Sequence, residues 1–319
     1  MIANLRQFGT LIGLVAIILF FTVQLPETFL TARNLLNVSQ QIAMLAVVAF
    51  SMTVVMVMND FDLSVGSMAS LAGIVAATLF AAGYPVWIGV SAALLVGLIG
   101  GLFNGVLVSL IGILPFVATL GTLTIFSGLA FYISDGRTIF GRDIPADFSG
   151  LSRSGIPLDG IGLEGLKLPS LTIGAVAVLI FVWVLLEQTN YGRRLYAIGG
   201  NIEAARLAGI RVRLLRLSAF AVTGVGAAFA GLMFASRVAS ANPTQGAGLM
   251  LDAIAAVFLG MTMGKESEPR VLATLVGVLI LGILDNGLTQ MKVDSFIREM
   301  LIGAIVIAAV ATSSLGRRT

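Results

Sequence analysis

The groups able to do chemistry are few. The chain of 319 residues contains no Cys and no His. That removes thiol nucleophiles, Ser-His-Asp triads, disulfides and metal or haem sites built on those ligands. What remains is a small set of acids and amides placed in or beside apolar sequence: Asp62, Asn104, Asp252, Asp285 and Asn286. Such a group at membrane depth is costly, so it marks a conducted path, a proton or cation relay, or a tie between helices. In "DLS", Asp62 with Ser64 either caps the run that follows or gates a path. Asn104 lies well inside an apolar run and must find its hydrogen bond within the protein. Asn286 holds a matching place in a later run.

Two glycine motifs look like nucleotide sites and are not. In "GMTMGKES", Gly260 and Gly264 enclose three residues where a phosphate-binding loop has four. Glu266 follows Lys265 where Ser or Thr would hold Mg²⁺, and no strand precedes the loop. In "GVGAAFAG" the strand and spacing of a dinucleotide fingerprint are missing. The chain therefore binds no ATP, and energy for work must come from another subunit or from an ion gradient.

The elements that position these groups follow from composition. The chain is 58% hydrophobic and only 11% charged, against roughly 25% charged in soluble domains. Apolar runs of helix-spanning length recur throughout, and alternating β-barrel strands are absent. The reading is an all-α polytopic membrane protein, one transmembrane permease-like domain over 1–319. Its spans fall at about 8–26, 42–59, 63–83, 86–112, 115–134, 169–187, 214–236, 248–263, 270–291 and 296–314. The first run lacks a small-x-small cleavage site and is read as a span rather than a signal peptide.

The net charge of +3 reflects topology and not nucleic-acid binding, because the basic residues sit between apolar runs. With the N-terminus in the cytoplasm, Arg6, Arg193, Arg194, Arg206, Arg211, Arg213, Arg216, Lys265, Arg270, Arg317 and Arg318 fall inside. Both termini are then cytoplasmic, and the loop 135–168 faces out.

An Asp opens span 3 in "FDLSVGSMASLAG" and an Asn-Gly pair follows in "GLFNGVL". The same order returns in "MLDAIAAVFLG" and "GILDNGL". This echo suggests an inverted repeat of spans 2–5 and 7–10, with a substrate path at the interface. Gly97, Gly101 and Gly105 recur every fourth residue, the small-xxx-small pattern of close helix packing.

The inner loop "GRRLYAIGGNIEAARLAGIRVRLLR" is unusually organised. Asn201 is placed as an N-cap, Glu203 suits the first turn, and Gly209 suits a left-handed stop. A helix over 202–208 is too short to stand alone in water and needs a surface to pack on. Ala204, Ala205 and Ala208 would give it a low-profile ridge, with Arg206 adding charge. The spacing predicts a docking element.

"EAARLAG" matches the EAA---G pattern of the cytoplasmic loop in permease subunits of bacterial ABC importers. "YAIGGNIEAARLAGI", "FDLSVGSMASLAG", "GLFNGVLVSLIGILPFVATLGTLTIFSGLAFYISDG" and "LDNGL" resemble the ribose-type monosaccharide branch of that family, over roughly residues 30–313. The resemblance implies inner-membrane import of a monosaccharide or similar polyhydroxy solute, with no cofactor or metal. It implies a cytoplasmic ATPase docking on the loop 188–213 through Asn201, Glu203, Ala204, Ala205, Arg206 and Gly209. It also implies a periplasmic sugar-binding protein on the outer face and a second permease, identical or similar. Sugar hydroxyls suit Asp62, Ser64, Asn104, Asn286, Thr119 and Thr122, and Phe116 offers a ring face. Helix packing explains the "LPFVATLGTLT" stripe slightly better than substrate contact does. The sequence departs from the family at "LGMTMGKESEPRV", where Lys265, Glu266, Glu268 and Arg270 replace a Gly-rich turn. The rival reading is an ion-coupled transporter acting alone through Asp62, Asp252 or Asp285.

Overall fold

The computed structural model describes residues 9–263 and 268–315. Gly264, Lys265 and Glu266 of the charged loop lie outside the described residues, as do Arg6, Arg317 and Arg318. Among the described residues helix dominates, with four strands of two or three residues and connecting turns. The helices are α1 (Gly9–Gln24), α2 (Ala32–Met56), α3 (Val65–Ala81), α4 (Val86–Val106, extended by a π turn over Leu107–Ile111), α5 (Pro115–Ser134) and α6 (Ala146–Arg153). They continue as α7 (Ser170–Trp183, extended by a π turn over Val184–Gln188), α8 (Asn190–Gly200), α9 (Ile202–Leu207), α10 (Val212–Val238), α11 (Leu249–Met261), α12 (Val271–Gln290) and α13 (Ser295–Leu315). Six of these, α2, α4, α5, α7, α10 and α12, are long and apolar enough to cross a membrane, counting the π turns. The molecule is an all-α polytopic membrane protein.

The core is built around α10 and α2, whose apolar windows are 61% and 72% buried, against 28% for α5 and 22% for α7. α10 can sit at the centre because it is rich in Ala and Gly. The row Gly97, Gly101 and Gly105 on α4 lies against its backbone. A Cβ at Gly97 would stand 2.5 Å from both Ala228 Cβ and the Gly224 carbonyl oxygen. At Gly105 it would stand 2.9 Å from Leu217 Cα. No side chain fits between these helices, which is what lets their backbones approach. The outer faces of α5 and α7 carry exposed Leu120, Ile125, Phe131, Ile180 and Phe181, as a lipid- or subunit-facing layer requires.

Two of the ten expected spans are short half-helices that start inside the protein. α3 has 17 residues and α11 has 13, so they reach about 25 Å and 20 Å, short of a hydrocarbon core of about 30 Å. Each follows an irregular stretch, 57–64 after α2 and 239–248 after α10. Non-helical backbone at that depth is tolerated only when protein surrounds it, and Asp60, Asp62, Leu63, Ser64 and Ala241 are buried. The two stretches lead the half-helices to one point. A Cβ on Gly66 would lie 2.5 Å from the Gly246 carbonyl oxygen, and the Gly246 N–H donates to Ser70 Oγ at 2.8 Å.

From that crossing the half-helices run in opposite directions. α3 ends where the Phe80 ring packs on Phe148 of α6, with centroids 4.9 Å apart. α11 ends beside the start of α12, with Gly260 against Ala273, and the Thr262 and Thr10 hydroxyls meet. The sequence suggested an inverted repeat of spans 2–5 and 7–10. The residue echo that suggested it is not equivalent in space. Asp62 precedes its half-helix, whereas Asp252 lies within the first turn of its own.

Candidate functional site

Three layers of this fold could do work. The first is the surface formed by α8 and α9. Thr189 caps α8, its Oγ1 accepting from the N–H groups of Tyr191 (3.2 Å) and Gly192 (3.4 Å). Gly192, Leu195 and Ile198 are buried beneath it. The Tyr196 hydroxyl lies 2.9 Å from the Pro269 carbonyl and 3.2 Å from Glu187 Oε1. Burial, with the Glu187 carboxylate beside it, pushes that phenol well above its ordinary pKa, so it stays protonated and serves as a donor. Sequence reasoning missed α8, although the apolar stripe Tyr191, Leu195, Ile198 was there to read.

Asn201 opens α9, its Oδ1 accepting from the N–H groups of Glu203 and Ala204, both at 3.0 Å. The helix closes with the N–H of Gly209 on the Arg206 carbonyl (2.9 Å) and that of Ile210 on the Ala205 carbonyl (3.0 Å). This is the double bond of a Schellman stop, with Gly209 at φ +79°. Glu203 and Arg206 pair at 3.0 Å but remain more than half exposed, so the pair contributes little stability.

One expected contact residue is corrected here. Ala205 is only 4% exposed and faces back into the chain, because a six-residue helix buries one side in docking on its own protein. It cannot join Ala204 and Ala208 in a ridge offered to a partner. The outward side instead presents Leu207, 90% exposed, between Arg206 and Ala208. Sequence reasoning passed over Leu207, since an isolated Leu in a short helix looks like core.

The second layer is the buried polar knot at the start of α3. Asp62 Oδ1 accepts from the Ser64 N–H (2.9 Å) and the Ser64 hydroxyl (2.6 Å). Asn104 Nδ2 donates to Ser64 Oγ at 2.8 Å and lies 3.4 Å from Asp62 Oδ1. All three residues are at most 2% exposed. Asp62 therefore sets the turn ahead of the helix, and the knot ties α4 to the 57–64 stretch rather than lining an open channel. Thr119 is also fully buried, its hydroxyl held by the Pro115 carbonyl (2.8 Å), while Thr122 donates to Thr119 (3.2 Å). Phe116 is 57% exposed. The stripe Phe116, Thr119, Thr122 is therefore split between surface and core and forms no common lining. Asn286 lies far from the knot. It accepts from Asn34 Nδ2 (3.1 Å) and Gln290 Nε2 (2.8 Å) and so ties α2 to α12.

The knot makes Asn104 a tie with a measurable value. Asn104→Leu should lower the stability of the detergent-solubilised protein by about 1–3 kcal/mol, because Asp62 and Ser64 lose a buried partner. Thermal unfolding reads this directly, and a wild-type midpoint would show the amide to be incidental.

The third layer comprises the remaining acids. Asp285 pairs with Arg298 of α13 at 2.6 Å, and Asp252 sits exposed on α11. Asp62 shares no partner with either. Among the described residues no group of three or more acids forms a cation site.

Comparison with known proteins places this architecture. Residues 34–310 match the family described as "Branched-chain amino acid transport system / permease component". The ribose import permease protein RbsC of Bacillus subtilis (strain 168) is 36% identical over 306 residues, covering 96% of this chain and 92% of that protein. The D-allose transport system permease protein AlsC of Escherichia coli (strain K12) is 32% identical, covering 97% and 92%. The xylose transport system permease protein XylH of the same strain is 32% identical, covering 99% and 93%. No solved structure matches the chain.

Proposed function

The chain belongs to this family of transport-system permease components and is a ribose-type permease of an ABC importer, and from that premise we propose that it carries a monosaccharide or closely related polyhydroxy solute across the bacterial inner membrane. The carrying observation is similarity over nearly the full chain to permeases whose names specify ribose, allose and xylose. Hydrolysis of ATP belongs to a separate subunit. The exposed side of α9, with Glu203, Ala204, Arg206 and Leu207, is the surface for that ATPase, on the loop 188–213 at the cytoplasmic face. The loop 135–168, with the short helix α6, receives a periplasmic sugar-binding protein. A second permease, identical or similar, completes the transmembrane unit against lipid-facing helices.

Asn201 and Gly209 contribute by holding α9 in shape rather than by touching a partner. Asp62, Ser64 and Asn104 act as ties that position α3 and α4 beside the path. In this reading Asp285 and Asp62 conduct no ions, since Asp285 is paired with Arg298 and Asp62 is spent on Ser64.

The deciding experiment is affinity purification of the tagged chain from its native membrane in mild detergent, with identification of what remains bound. Recovery of an ATPase, with uptake into proteoliposomes that requires ATP, is the expected result. Recovery of this chain alone, with uptake driven by a proton or sodium gradient, would replace the importer by an ion-coupled transporter.

A further inference from the structure

The stretch 57–64 is held from both sides, and its attachments are specific. On one side it is fastened to the α8–α9 segment. Asn59 Nδ2 donates to the Gly199 carbonyl at 2.7 Å. Asn59 adopts φ +60° to make that contact. Gly199 lies so near the Val57 carbonyl that a Cβ there would overlap it. One residue on, Asp60 meets Arg216, in the second turn of α10 just beyond that segment, at 2.6 Å, bridging 156 positions of sequence. On the other side, the Thr119 hydroxyl lies 3.3 Å from the Phe61 carbonyl, and the knot of Asp62, Ser64 and Asn104 fixes the entry to α3. Two residues past Ser64, Gly66 reaches the crossing with Gly246. The far stretch is fastened in the same manner to the opposite end of the molecule. Ile139 and Phe140 pair with Ala241 and Ser240, and Asn242 Nδ2 donates to Thr138 Oγ1 at 2.7 Å.

The ion pair itself is unusual. Asp60 is 2% exposed and the Arg216 side chain 20%, yet the contact is end-on through a single oxygen. Asp60 Oδ2 and Arg216 Nε have no partner among the described residues. A buried ion pair satisfied at one atom on each side recovers its desolvation cost poorly, so it is a weak source of stability. It is a good device for register, because it fixes one point of the stretch to one point of α10. The idle Oδ2 and Nε are also the atoms a side-on, bidentate arrangement of the same pair needs. The pair thus has a second geometry available without a change of partner, which is what a two-state element requires.

We propose that Asp60 and Arg216, with Asn59, form the positioning link that carries displacement of the α8–α9 segment into the half-helix α3, and through the Gly66–Gly246 crossing into α11. This rests on the importer reading above, since it takes the α8–α9 segment as the ATPase surface. The three residues act on the path by setting where the half-helices meet. The crossing makes the transfer efficient, because two backbones in contact leave no soft side chain to absorb the motion.

The test is the number of solute molecules imported per ATP hydrolysed, measured in proteoliposomes containing the full complex of permease, ATPase and binding protein. Arg216→Gln should lower that ratio by about fivefold or more, the low end of coupling between linked sites, with the ATPase still bound. Arg216→Lys keeps the charge but has no fork for the side-on geometry, so it should hold the complex together and still leave the ratio below wild type. Asn59→Gly tolerates the same positive φ and removes only the bond to Gly199, and should lower the ratio by about twofold. If Arg216→Gln fails to assemble, Asn59→Gly decides. Uptake that falls only in proportion to the amount of assembled complex, at an unchanged ratio, overturns the link. Wild-type uptake that needs no ATP overturns the importer reading and the link with it. Wild-type uptake driven by ATP, with normal ratios in both variants, overturns the link alone.

Discussion

Leu207→Asp is expected to abolish ATP-driven uptake while leaving the permease folded. Leu207 is 90% exposed, so the isolated chain loses almost no packing, and exposed substitutions of this kind usually stay within about 0.5 kcal/mol. At an interface the same side chain would be an apolar anchor. Burying a carboxylate in its place should cost at least about 2 kcal/mol, a loss of roughly 30-fold in ATPase affinity. Retention of the ATPase on the tagged permease, read alongside the thermal midpoint, separates the two effects. An ATPase held normally by Leu207→Asp would take this residue out of the interface. Ala205→Trp makes the contrast. Ala205 is buried within the chain, so the indole should dislodge α9 from its own protein and lower stability before any partner is involved.

Gly101→Leu should be among the most damaging single changes within the membrane. A Cβ at Gly101 would already overlap the Phe220 carbonyl oxygen and press on Ala221 Cα. Both are backbone and cannot rotate away. Overpacking a well-filled core costs typically about 1–3 kcal/mol, and three further carbons against backbone place this change at or above the upper end. The expected result is a large drop in monodisperse protein on size-exclusion chromatography, with a lowered melting temperature for whatever remains. Gly121→Leu is the control, because nothing lies within 4 Å of a Cβ at Gly121. Equal behaviour of the two variants would mean that α4 and α10 do not approach as closely as described.

Much of this molecule was legible before its structure. An apolar run partitions into lipid by its composition alone, so membrane class and the approximate positions of the helices follow from the residues in each run. The ends of α9 were equally local. Asn201 caps because its amide reaches two N–H groups within three residues, and Gly209 stops the helix because it accepts positive φ without a Cβ. The row Gly97, Gly101 and Gly105 announced a close contact, though not the partner.

What escaped depends on which distant faces meet. Asp62 and Asn104 are 42 positions apart. Each could be read as a path residue until the structure placed them on each other, buried and largely satisfied. Composition showed that runs 3 and 8 were short or Gly-rich, but not that both begin inside the protein and touch at Gly66 and Gly246. Ala205 and Leu207 differ by two places on one turn of helix, and only the docking of α8 and α9 decided which of them faces water. The sequence alone determined what is set by solvent transfer and by the chemistry of neighbouring residues: a polytopic helical permease with a capped loop helix. Tertiary structure decided the pairing of polar groups, the crossing of the half-helices and the outward face of α9. Those depend on long-range contacts whose partners no local pattern specifies.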